Sequence, residues 1–289
     1  MMKFKSFILG LVMVSSVCTV HAQTATRKAA PAASQPKIIV GMMVDQMRWD
    51  YLYRFQNRYT EGGFKRLLRE GFSCENTLID YSPTITACGH TCVYTGSVPA
   101  VHGIVGNGWY ERSIGKEIGC VDDESVNLVG SEKGGTGQSP HNNLATTITD
   151  QLRIASNFQS KTVGVAIKDR ASILPAGHAA TGAFWYNGQD GNFVTSTYYM
   201  KELPEWAKRF NDKKVVDTYY KNDWNTLYPI NTYTLSTADD KEYENTTNGE
   251  KNPVFPHLLK QFTGKNYGAV RTTPYGNTLT FDFAKAAIE

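Results

Sequence analysis

The apolar positions of the chain keep strand spacing in some stretches and helical spacing in others. Ile38-Ile39-Val40-Gly41-Met42-Met43-Val44 is an unbroken apolar run of strand length, the pattern of a parallel strand covered on both faces, and Asp45 ends it. Phe64 to Glu70 has helical spacing and stops at Gly71, after which Phe72 to Ile79 reads as a strand. Ala87 to Tyr94 suits a helix with Thr86 at or near its start. Val163 to Ile167 is a second strand of the buried type, and another helix lies near Glu205 to Asn211. The stretch around 187–256 is rich in Tyr, Trp, Asn and Lys and reads as an insertion that caps a sheet. A last helix is expected from near Thr278 to Glu289, with no Gly or Asn cap. These elements predict an α/β fold with a mostly parallel sheet flanked by helices.

The amino terminus has another character. Lys3 and Lys5 precede an apolar run from Phe7 to about Val17, and Val20-His21-Ala22 stands before Gln23. This layout predicts a signal peptide over 1–22, cleaved near Ala22, and a periplasmic or secreted protein. The run is too short to cross about 30 Å of hydrocarbon, so no stable membrane anchor is expected. Residues 23–36 are Ala-rich, contain Pro31 and Pro36, and read as a flexible leader, which leaves 37–289 as the folded part.

Composition narrows this picture only slightly. The 289 residues are 41% hydrophobic, enough to bury a sizeable core. Lys and Arg number 30 against 27 Asp and Glu, a net charge of +3 that names no polyanionic partner, and no nucleic acid is expected. Beyond the signal peptide remain Cys74, Cys88, Cys92 and Cys120, in a compartment that permits disulfides. Cys88 and Cys92 are read as stapling or buried cysteines in preference to a metal site, because zinc sites use closer pairs.

Three places carry candidate chemistry. Asp45 stands at the carboxyl end of a strand, where open α/β sheets gather their ligands; its plainer reading is a helix N-cap. Thr86 faces the free donors of a helix start, where a phosphoryl oxygen is welcome; Thr is also a common N-cap. Lys168-Asp169-Arg170 follows the second strand, and alternation sends Lys168 and Arg170 to the same side as a cationic fork for a dianionic oxygen cluster. The alternative there is a solvated charge cluster.

Taken together, the strand ending in Asp45, Ser82-Pro83-Thr84-Ile85-Thr86-Ala87-Cys88-Gly89-His90, Tyr94-Thr95-Gly96-Ser97-Val98-Pro99, His102-Gly103-Ile104, Gly106-Asn107 and Thr273-Pro274-Tyr275-Gly276-Asn277 resemble the type I phosphodiesterase/nucleotide pyrophosphatase family. That family belongs to the alkaline phosphatase superfamily, and the nearer resemblance is to its bacterial periplasmic phosphatases with a threonine nucleophile. The resemblance implies an alkaline-phosphatase-like fold with two zinc ions. It implies Asp45 as the first metal carboxylate, Thr86 as metal-bound nucleophile forming a phosphothreonine, and Asn107, Lys168 and Arg170 as contacts to the transferred group. The Lys-x-Arg pair points to small-molecule phosphate monoesters; a phosphodiesterase or nucleotide pyrophosphatase, or a non-catalytic anion-binding module, is the alternative.

The resemblance also implies further zinc ligands in a D-x-x-x-H element, a D-H pair and a later His. His90, His102, His141, His178 and His257 do not stand in such patterns, and Asp239-Asp240 is followed by Lys241. His90, His102 and His178 are read as packing or hydrogen-bonding residues. The missing ligands are expected beyond Glu289, so the chain is read as the amino-terminal portion of a longer catalytic domain, inactive by itself.

Overall fold

A computed structural model describes residues 36–246 and 250–289. The signal-peptide reading and nearly all of the leader lie outside the described residues. The described residues divide into two units, 36–42 in the first and Met43–Glu289 in the second. In the first, the described residues are irregular and exposed, with Ile39 at 70%.

The second unit begins with short helices, α1 (Tyr51–Arg54) and α2 (Gly63–Glu70), followed by α3 (Thr86–Thr95) and α4 (Pro99–His102). Strands β1 (Gly108–Glu111), β2 (Lys116–Gly119), β3 (Asp122–Val129) and β4 (Thr136–Gln138) lead to α5 (Ile148–Ala155). Then come β5 (Val163–Ala166), α6 (Asp169–Ala176), β6 (Gly182–Asn187), β7 (Asn192–Ser196), α7 (Glu205–Asp212), α8 (Val215–Tyr219) and α9 (Pro274–Ile288).

Two expected strands are absent. Residues 38–44 and 72–79 form no strand; Phe72 is 92% exposed and Leu78 83%. A strand exists only through a ladder, and no described strand pairs with either run. Helix α2 stops at Gly71 as its sequence predicts. Helix α9 starts at Pro274, earlier than expected, because a proline at the first helical position loses only an N–H that has no helical partner.

β1 and β2 form a hairpin, and a five-stranded sheet runs in the order β4-β3-β7-β6-β5. β5 and β6 are parallel, from Val163 opposite Gly182 to Ala166 opposite Trp185, joined by the crossover helix α6. β3–β4, β3–β7 and β6–β7 are antiparallel, so the sheet is mixed. The short connection from β6 to β7 allows only that arrangement. β7 lies within the span read as an insertion, so that part of 187–256 is sheet. β5 is an edge strand, with Val163 43% exposed, where a strand buried on both faces was expected.

The period-two alternation of β6 and β7 divides the core into two layers. Phe184, Tyr186 and Phe193 face a cluster with Ala207, Phe210, Val216, Leu279 and Phe283, from α7, α8 and α9. Ala183, Trp185 and Val194 face Ala87, Ile173, Leu174 and Ala176, from α3 and α6. Phe283 is the hub of the first layer, stacked on Phe193 with ring centroids 3.9 Å apart and edge-on to Phe210 at 5.1 Å. In the second, Gly164 lets β5 meet α6, because a Cβ there would lie 2.4 Å from the Ser172 carbonyl oxygen. That contact fixes where the turn between β5 and α6 delivers Lys168.

Candidate active site

Side chains far apart in sequence converge at the amino-terminal end of α3. Asp45 stands in a turn, and its neighbour Gln46 has φ +58°, in the left-handed region that non-glycine residues seldom occupy. Asp45 caps no helix; α1 starts after Asp50.

Thr86 is the first residue of α3 and not its cap. The capping position is Ile85, whose side chain has nothing to offer the free N–H groups. Asn107 supplies what is missing, because its Oδ1 accepts a hydrogen bond from the Ala87 N–H at 3.0 Å. The Thr86 hydroxyl is therefore spared from capping and donates from Oγ1 to Asp45 Oδ2 at 3.0 Å. Thr86 is 8% exposed.

Lys168 reaches the same carboxylate, with Nζ donating to Asp45 Oδ2 at 3.0 Å. The expected cationic fork does not form as strand geometry implied. β5 ends at Ala166 and α6 begins at Asp169, so alternation stops before it can align the two cations. Arg170 lies in the first turn of α6, where its Nη1 is 3.4 Å from Asp169 Oδ1 and its buried Nε has no hydrogen-bond partner among the described residues. Beside these residues a cleft of about 910 Å3 opens, lined by Lys168, Asp169, Arg170, His141, Trp185 and Arg271 among others.

Burial by itself raises the Asp45 carboxyl, but the Lys168 ammonium and the Thr86 hydrogen bond outweigh it and hold the carboxyl below the ordinary aspartate range. His90, one turn after Thr86, is 5% exposed, and burial pushes its imidazole below the usual histidine range despite a hydrogen bond to the Thr86 carbonyl. The sequence reading took His90 as a packing or hydrogen-bonding residue without naming its partner, although its i, i+4 spacing from Thr86 was a signal for this contact.

His102 and His178 hold the surrounding structure through hydrogen bonds. His102 is buried, accepts from the Ile104 N–H at Nδ1, and holds Cys92 Sγ at 3.2 Å from Nε2. His178 bridges Asp150 Oδ2 and the Asn143 carbonyl. The four described cysteines are free thiols; Cys88 and Cys120 are buried. Among the described residues no group of three His, Cys, Asp or Glu could hold a metal. The Asp45 carboxylate and Thr86 hydroxyl, adjacent and both hard oxygen donors, suit two positions around a divalent cation, and the rest of a ligand set is not among the described residues.

A family profile described as type I phosphodiesterase / nucleotide pyrophosphatase matches residues 39–262. The chain belongs to that family. Among type I phosphodiesterase / nucleotide pyrophosphatase relatives, alkaline phosphatase PhoV of Synechococcus elongatus is 52% identical over 99% of this chain and 53% of its own length. A protein named calcium-transporting ATPase from Myroides odoratus is 59% identical over 90% of this chain and 48% of its own. Among the described residues of this chain, no helix is long and apolar enough to cross a membrane.

The fold is alkaline-phosphatase-like. The crystal structure of wild-type alkaline phosphatase PafA superposes with a TM-score of 0.86 at 55% identity, over 89% of this chain and 50% of that one. PafA altered at a threonine, an asparagine, a lysine and an arginine superposes with a TM-score of 0.85. The chain spans about half the length of these relatives.

Proposed function

We propose that this chain carries the nucleophile half of a phosphomonoesterase that acts on small-molecule phosphate monoesters through a phosphothreonine at Thr86. The observation that carries the reading is the Thr86 hydroxyl on Asp45 Oδ2, at the start of a helix whose capping is done by Asn107 instead. The names of the PhoV and PafA relatives support hydrolysis of this kind.

Thr86 Oγ1 forms the new bond to phosphorus as the ester oxygen leaves with a proton from solvent. The Thr86 hydroxyl proton, directed at Asp45 Oδ2 at the start of this step, passes to solvent as the bond forms, and Oγ1 takes a proton back from solvent when it leaves in the second step. Water then displaces Thr86 Oγ1 and releases inorganic phosphate. The positive end of α3, the Asn107 amide, Lys168 and Arg170 face the charge that spreads over the equatorial oxygens. The Ala87 N–H occupies Asn107 Oδ1, so the Nδ2 amide is the donor that serves this role. Two zinc ions, for which Asp45 and Thr86 would be the first donors, would supply a lowered hydroxyl pKa and neutralisation of the developing negative charge.

The description of the family favours diesters as a second substrate class. Lys168 and Arg170 favour monoesters, whose transferred group has an additional charged oxygen. The signal-peptide layout of residues 1–22 supports a periplasmic or secreted location.

The test uses the full-length protein loaded with zinc. Acid quench during turnover of a radiolabelled monoester should trap phosphate on Thr86, and Thr86→Ala should abolish both label and turnover. Substrate binding without turnover in the wild type would leave an anion-binding module.

A further inference from the structure

His90 is drawn into the site by an arrangement that packing does not require. Its ring sits one helical turn beyond Thr86, and Nδ1 lies 2.8 Å from the Thr86 carbonyl oxygen. A carbonyl oxygen only accepts, so Nδ1 carries the hydrogen and a neutral ring leaves Nε2 as a bare acceptor. Nε2 has no hydrogen-bond partner among the described residues. The ring is 5% exposed and lies within electrostatic reach of Asp45, Lys168 and Arg170.

The neighbouring residue follows the same design. Thr91 Oγ1 donates to the Ala87 carbonyl at 2.8 Å. The first two carbonyls of α3 thus each receive a side-chain donor from one turn below, which pins the turn that carries the hydroxyl. The other end of that turn is held by Asn107 on the Ala87 N–H.

We propose that His90 is a positioning residue for Thr86: its Nδ1–H bond to the Thr86 carbonyl fixes the first turn of α3, and with it the placement of Oγ1 against Asp45 Oδ2. The inference rests on the reading of Thr86 as nucleophile and adds to it the device that aims it. A displacement of about 1 Å at a reacting atom costs on the order of 100-fold in rate. Loss of a group that orients a reactive one costs about 10–100-fold.

Three variants of the full-length protein test this. His90→Ala removes the donor. His90→Asn keeps an N–H near the position of Nδ1, and His90→Gln places its amide near Nε2. The expected result is a kcat about 10–100-fold lower in His90→Ala with KM little changed, substantial recovery in His90→Asn, and no recovery in His90→Gln. The 15N spectrum of the wild-type imidazole should show the Nδ1–H tautomer.

A wild-type kcat in His90→Ala, an Nε2–H tautomer, or equal activity of the Asn and Gln variants would overturn the inference. If the wild type turns over no phosphoester, the phosphatase reading fails separately. His90 is then judged by a crystal structure of His90→Asn beside His90→Gln. Thr86 Oγ1 held 3.0 Å from Asp45 Oδ2 only in the Asn variant supports the role, and the same placement in both removes it.

Discussion

Thr86 and Lys168 donate to a single atom, Oδ2 of Asp45, each at 3.0 Å. The carboxylate is the hub on which a hydroxyl from α3 and an ammonium from the β5–α6 turn are registered. Asp45→Asn keeps the shape but loses the charge that holds Lys168. The expected loss of monoester turnover is at least 100-fold, on the scale of removing a group that stabilises transition-state charge. The side chains are 37% and 32% exposed, so the ion pair adds little stability and the melting temperature should move by no more than about 4 °C. Turnover and thermal melting on the same preparation check this, and a collapse of the fold with activity would assign Asp45 a structural role instead.

Lys168 and Arg170 act on different neighbours despite being two positions apart, since Lys168 spans to Asp45 while Arg170 stays beside Asp169. Lys168→Ala and Arg170→Ala should each cut kcat/KM for a monoester by about 100-fold and for a matched diester by much less. Paired assays with one leaving group in both ester classes measure the difference. Equal losses would move the substrate reading to diesters.

Asp150 gives the fold an acid dependence. The carboxylate is 2% exposed and accepts from the Thr147 and Ala179 N–H groups. Burial alone would raise it, but His178 and the backbone donors outweigh burial and hold the pKa at about 2 against an ordinary 3.8. Its contribution is complete above the ordinary value and is lost as pH falls towards about 2. His178 is raised by the same pair, so its share has the opposite sign: present below 6.5 and lost as pH climbs through the raised value. Urea unfolding of wild type and Asp150→Asn should show a stability gap that narrows by about 2 kcal/mol between pH 4 and pH 2. A gap independent of pH would exclude the carboxylate as its source.

Phe283 is fully buried against aromatic rings from β6, β7 and α7. Phe283→Ala should cost about 3–5 kcal/mol, read by denaturant midpoint, because those rings cannot all close on the cavity. Phe283→Leu should cost clearly less, and equal losses would show that cavity volume is not the cause.

Local pattern carried some elements into view and missed others for identifiable reasons. α2 ending at Gly71, α7 from Glu205 and α3 beginning at Thr86 all follow from spacing and stop residues. Apolar content misled at 38–44 and 72–79, because a strand is a relation between two segments and neither run has a described partner. Strand alternation misled at Arg170, because α6 begins between it and the end of β5. The candidate residues Asp45, Thr86, Asn107 and Lys168 could be picked out by type and motif. The family resemblance implied one shared site, but spacing could not show the direct contact, since Lys168 lies 123 positions from the carboxylate it touches. Nor could spacing show that Asn107 replaces the cap that Ile85 lacks.

The place of β5 at the end of the strand order has a practical consequence. Its outer row of peptide groups has no ladder among the described residues, and Val163-Gly164-Val165-Ala166 carries neither charge nor proline to blunt it. Such a row is a template on which another extended segment can grow the sheet. Purified by itself, the chain should therefore self-associate as its concentration rises while its circular dichroism remains that of a folded protein, and a Lys at Val163 should keep it monomeric.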